Sequence, residues 1–146
     1  MVDDKPSDRG QIVKFITVRT DGQIRQSGAI QRQHLETFAA VYPGCRTMEV
    51  PAEQYRLDID AHCYVLDGII TAKGVALDVT EYTIRADGAD KASFAVPAGT
   101  SVNHDGDIVV IEDHLFEFAT DVFGDHQFRF LAPAAFYDFE VTIHAV

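Results

Sequence analysis

The chain has 146 residues, 47% of them hydrophobic, with ten phenylalanines and five tyrosines, so it has the length for one ordinary domain or two small ones and is too apolar to stay disordered. Its net charge of -11, from 12 basic and 23 acidic residues, argues against unassisted binding to nucleic acid or to an anionic membrane, since both need a positive surface. No apolar run approaches the about 20 residues of a membrane helix, and the start MVDDKPSDRG has no apolar segment behind it. No membrane insertion and no cleaved signal are therefore expected, and synthesis in a cytoplasm follows.

Residues 1–10 carry Pro6, Gly10 and several charges with nothing to bury, which predicts a flexible arm. Residues 12–18 (IVKFITV) are β-branched and aromatic, and Asp21-Gly22 separates them from a second run at 23–26. An Asp-Gly pair supplies the two positive φ angles of a type I′ turn, so a hairpin is expected, ended by Gly28. Over residues 29–42 the period changes. Ile30, His34, Phe38 and Val41 or Tyr42 recur at helical spacing, with Ser27 as N-cap and Pro43-Gly44 as the stop. Residues 47–50 (TMEV) return as a strand, completing a β-β-α-β module in which one helix covers a small sheet. Residues 51–60 read as a connection with little structure, and residues 63–72 as a second hairpin around Asp67-Gly68.

After a boundary near Lys73 or Gly74 the texture is β throughout. Tyr82 and Ile84 alternate with polar residues, Asp87-Gly88 turns, and Phe94 and Val96 lie in a strand broken by Pro97-Ala98-Gly99. Asp105-Gly106 joins a short strand at 101–104 to the most apolar one, DIVVI at 107–111. Three further runs place Phe116 and Phe118, then Phe128 and Phe130, then Phe139, Val141, Ile143 and Ala145 on every second position. Period-two alternation marks strands with one face in a core and one in water. The prediction is an arm at 1–10, a small α+β module at 11–73 and, at 74–146, an antiparallel all-β unit with the strand spacing of a sandwich and a core rich in phenylalanine.

Signals for chemistry are sparse. Nucleophile elbows, phosphate-binding loops and zinc-protease motifs are absent, and Ser7, Ser27, Ser93 and Ser101 have no histidine at a suggestive spacing. Asp58, Asp60, His62 and Cys63 are acceptable metal ligands, and in a strand 58, 60 and 62 would share a face; a polar, solvated strand edge accounts for the same residues. His104 and His114 flank the Asp105-Gly106 turn and read either as hairpin-end polar residues or as a pH-sensing pair. Asp105, Asp107, Glu112 and Asp113 are calcium-type ligands without EF-hand spacing. Cys45 and Cys63 form no CxxC pair, which leaves reduced buried thiols or, outside a cell, one disulfide. Phe123, Phe136 and Tyr137 fall in turn-like stretches and read either as loop aromatics closing the end of the sandwich or as an exposed patch contacting a glycan or protein partner. No metal or cofactor is expected.

Several segments together resemble small virion proteins of tailed bacteriophages. In the N-terminal half Asp21-Gly22-Gln23-Ile24, Gly28, the helix to Tyr42, Glu49-Val50 and Tyr64-Val65-Leu66-Asp67-Gly68-Ile69-Ile70 are similar to modules of tail-fibre and tail-accessory proteins. In the C-terminal half Pro97-Ala98-Gly99-Thr100, Asp113-His114-Leu115-Phe116-Glu117-Phe118, and Gly124 with Phe128 resemble phage immunoglobulin-like domains. The resemblance implies an α+β module followed by an immunoglobulin-like β-sandwich. It also implies a non-enzymatic role in the virion, in assembly or host-surface display, with other virion proteins as partners and several copies per particle. A head-decoration protein and a carbohydrate-binding sandwich for a host-surface glycan are the alternatives.

Overall fold

The computed structural model describes residues 10–146; the expected arm, apart from Gly10, lies outside the described residues. The chain is mainly β, with a small α+β part at the N-terminal side, and it divides into two compact units between Lys73 and Gly74.

The first unit is built on β1 (Ile12–Val18), flanked by β2 (Ile24–Gln31) and β3 (Arg46–Val50) in the order β2-β1-β3, with both ladders antiparallel. A run of β-branched and aromatic residues suits a central strand because it has apolar side chains for both faces. On one face Phe15 meets Phe38 edge-on at 4.8 Å, and Phe38 meets Tyr42 at 5.6 Å, which docks the short helix α1 (Leu35–Ala39). On the other face Ile16 and Val18 pack with Ile24, Val50, Ile59 and Val65. Ile59 and Val65 come from the helical turn α2 (Ile59–His62) and from β4 (Cys63–Leu66), which forms a hairpin with β5 (Ile69–Ala72).

Local expectations need several corrections here. β2 does not end at Gly28 but continues to Gln31, with Phe15↔Gly28, Lys14↔Ala29, Val13↔Ile30 and Ile12↔Gln31 in register. Ser27 is a strand residue opposite Ile16, and the helix shrinks to a 3-10 turn (Arg32–His34) followed by α1. A helix beginning at Ser27 would strip the first half of β1 of its ladder partner on that side, and unpaired backbone groups outweigh helical periodicity. Gly28 serves packing: a Cβ there would lie 3.1 Å from Cε1 of Phe15. The connection at 51–60, expected to have little structure, holds a 3-10 turn (Ala52–Gln54) and the start of α2, and it supplies the fully buried Ile59. The Asp21-Gly22 loop is not type I′, because Gly22 alone has positive φ and its N–H closes on the Arg19 carbonyl at 3.0 Å. Asp67-Gly68 and Asp105-Gly106 do supply the two left-handed residues of that turn.

The second unit contains β6 (Glu81–Ile84), β7 (Ala92–Ala95), β8 (Thr100–His104), β9 (Asp107–Ile111), β10 (Leu115–Phe118), β11 (Gly124–Leu131) and β12 (Phe139–Ala145). They form a five-stranded sheet, β6-β12-β11-β8-β9, and a two-stranded sheet, β10-β7. The alternation in the three C-terminal runs holds: Phe116, Phe128, Phe130, Val141, Ile143 and Ala145 are buried, while Phe118 and Phe139 are half-buried against them. Rings from the small sheet interlock with rings of the large one, with Phe116 5.1 Å from both Phe128 and Phe130 and Phe94 5.7 Å from Phe130. One ladder departs from the antiparallel expectation: β6 runs parallel to β12, which a connection spanning nearly the whole unit permits.

Candidate functional site

The strand count of the second unit leaves part of its core open. At about 4.8 Å per strand, two strands cannot cover five. Phe94 of β7 lies on Tyr82 and Phe130, and Phe116 and Phe118 of β10 lie on Phe128, so the small sheet is spent over β6, β12 and β11. Beyond β10 the inner faces of β8 and β9 form the floor of a cleft of about 340 Å³, bounded by Val102, Val109 and Ile111 on one side and Leu115, Phe116 and Phe118 on the other. His104 extends that floor, its ring stacked on Phe128 at 4.2 Å and its Nδ1 3.2 Å from the Gln127 carbonyl oxygen.

β9 is the most apolar strand and also an edge strand. Val109, facing the cleft, is 62% exposed, and Ile108 and Val110 on the opposite face are 65% and 52% exposed. Proteins usually blunt such edges with lysine, proline or a bulge, and β9 has none of these. Carboxylates stand at both ends instead: Asp105 and Asp107 before the apolar run, Glu112 and Asp113 after it. With about 3.4 Å of rise per residue, Asp107 and Glu112 lie about 17 Å apart. These four acids therefore do not gather around one calcium ion, and the Asp113 carboxylate accepts the Leu115 N–H at 3.2 Å.

The aromatic candidates separate. Phe123, 73% exposed next to Val122, precedes Gly124 at the start of β11, whereas Phe136 and Tyr137 are half-buried in the loop after its other end. Eight strand residues put the two ends about 24 Å apart, so the three residues do not make one patch. Phe136 and Tyr137 instead fix the β11–β12 connection, with the Phe136 N–H on the Pro133 carbonyl and the Tyr137 N–H on the Gly74 carbonyl, each at 2.9 Å.

The remaining polar candidates are likewise rearranged. Asp58 precedes a helical turn rather than lying in a strand, so Asp58, Asp60 and His62 do not share a strand face; Asp58 is bonded to Arg56 and to Nε2 of His62, the latter at 3.1 Å. The Arg56 guanidinium holds the Asp58 carboxyl below its usual range. Among the described residues no group of three or more His, Cys, Asp or Glu side chains is placed to hold a metal ion. His104 has ring contacts with Phe118, His126 and Phe128, and none with His114. Ser27, Ser93 and Ser101 are strand residues, and Cys45 and Cys63 are free, half-buried thiols.

A histidine cluster that sequence spacing does not suggest joins three strands. Nδ1 of His144 on β12 lies 2.6 Å from Asp125 on β11, and its Nε2 lies 3.3 Å from Glu81 on β6. The hydrogen bond to Asp125, then that to Glu81, raises the His144 pKa above its ordinary 6.5. A raised folded-state pKa stabilises the fold fully below 6.5, and that contribution disappears as pH rises through the raised value. Thermal melts from about pH 5 to about pH 9 should show the wild type losing stability relative to His144→Gln across that interval. Parallel profiles for the two proteins would show that the cluster contributes nothing.

Sequence spacing does not mark the cleft residues Val109, Ile111, Leu115 and Phe118 as a site. The available signal was DIVVI itself, whose apolar residues fail to alternate. Such a run marks either a strand covered on both faces or an open edge, and only the sheet order distinguishes them. No protein-family model, curated protein or solved structure matches the chain.

Proposed function

We propose that the chain is a non-enzymatic structural protein of a tailed-bacteriophage virion, a tail or tail-fibre-associated component acting in assembly or host-surface display, with an immunoglobulin-like sandwich as its second unit. The observation that carries this reading is the strand order. Taking β7 and β10 as the B and E strands of an immunoglobulin-like domain makes β12, β11 and β8 its G, F and C strands, with β9 as the added C′ strand beside C. β6 then corresponds to a first strand that has crossed to pair with G, in agreement with its parallel ladder. That order agrees with the motifs at Pro97 to Thr100, Asp113 to Phe118 and Gly124 with Phe128 that resemble phage immunoglobulin-like domains. The acidic net charge suits a module that docks on other proteins and stays apart from nucleic acid.

Gold-labelled antibody raised against the chain should mark the tails of purified particles in electron micrographs. Label on the capsid would replace the tail assignment with head decoration, and particles without label would refute both. Phe123 supports a second reading, because a ring 73% exposed at a loop tip can stack on a sugar. On that reading a glycan array gives signals that vanish in Phe123→Ala, and a blank array dismisses it.

A further inference from the structure

We propose that the open cleft of the second unit is a docking site for an extended strand of another protein, apolar at alternate positions and basic at both ends, which adds to the free edge of β10. The inference does not depend on the virion role and stands on the geometry of this unit alone.

The backbone of β10 is directed for it. The Val96 N–H donates to the His114 carbonyl at 3.0 Å, and β10 pairs with β7 on that side only. Peptide groups alternate in direction along an antiparallel strand. The Leu115 and Glu117 carbonyls and the Glu117 N–H therefore point away from β7, toward the cleft, while the Leu115 N–H on that side is taken by the Asp113 carboxylate at 3.2 Å. An incoming strand takes its ladder bonds from these groups, and every second side chain drops between Phe118 and Val109 onto the floor made by Val102 and Phe128. One more strand is also what the small sheet lacks to cover the inner faces of β8 and β9.

Charge selects the occupant. The apolar floor is flanked by Asp107 at one end of β9 and by Glu112 and Asp113 at the other, with Glu117 on the opposite wall. Among the described residues Lys91 forms an ion pair there, 3.1 Å from Glu117. A basic residue at each end of a short apolar strand meets these acids. A second copy of this chain, carrying the same acids and a net charge of -11, brings like charges together at both ends.

The test is selection from a random library of displayed peptides against the full chain, followed by synthesis of the enriched peptides and titration into labelled protein by NMR. Enriched sequences should alternate apolar residues and end in lysine or arginine, and amide shifts should concentrate at Val109, Ile111 and residues 115–118. Val109→Arg, at an exposed position facing the cleft, should weaken binding roughly tenfold or more, while Ile108→Arg on the opposite face of the same strand leaves it unchanged. Replacing the basic ends of a selected peptide with glutamate, or N-methylating its alternate backbone amides, should each cost roughly tenfold, readouts that need no protein variant. No enrichment, enrichment without alternation, shifts elsewhere, equal binding by Val109→Arg, or self-association of the chain through the cleft would each overturn the proposal.

Discussion

Phe130→Ala should lower the unfolding free energy of the second unit by about 3–5 kcal/mol. Phe130 is fully buried and lies where the two sheets meet, stacked on Phe139 at 4.6 Å and edge-on to Phe116 and Phe94. Its removal deletes a large apolar side chain and leaves a hole that rings on three other strands cannot close without moving their backbones. For a unit of this size, whose total stability is about 4–11 kcal/mol at ordinary values per residue, that loss consumes much of the margin. Urea titration followed on amides of the second unit measures it, with Phe123→Ala as a surface control expected to change stability by no more than about 0.5 kcal/mol. A loss below about 1 kcal/mol for Phe130→Ala would mean that the two sheets are not held together through this ring cluster.

Gly22→Ala should destabilise the first unit by about 3 kcal/mol. Gly22 has φ +90, and a Cβ there would lie 2.4 Å from the Val65 carbonyl oxygen. That oxygen belongs to a backbone held in place by the bond from the Val65 N–H to the Gly22 carbonyl, so it cannot swing aside as a side chain would. Gly68→Ala separates the two contributions. Its φ of +79 imposes a similar backbone cost, but nothing lies within 4 Å of the added atom, so about 1 kcal/mol is expected. Thermal or urea unfolding of the two variants side by side measures the difference. Equal losses would show that Val65 of β4 does not sit against the β1–β2 turn.

What was legible in the sequence is what neighbouring residues decide. The hairpins at Asp67-Gly68 and Asp105-Gly106 follow from turn chemistry in two residues. The inward phenylalanines of β10 and β11 follow from alternation within each strand, because a half-buried strand repeats every two residues whatever its partner. Where long-range pairing decides, local reading fails. Ile30, His34 and Phe38 have helical spacing, yet residues 29–31 are held in β2 by the far end of β1, a preference no local window contains. The exposed β9 edge, the parallel β6–β12 ladder and the cleft all depend on how strands divide between five and two, a property of the whole unit. The same limit hides the His144 cluster, whose Glu81 is 63 positions away.

Quantitative mass spectrometry of gradient-purified virions, with isotope-labelled standards of the chain's own peptides, tests the proposed role as a structural component of a phage particle. The chain should appear in the particle band, in multiple copies and in fixed ratio to the tail or head proteins. Absence from that band, or trace amounts that fall with each further gradient, would contradict it.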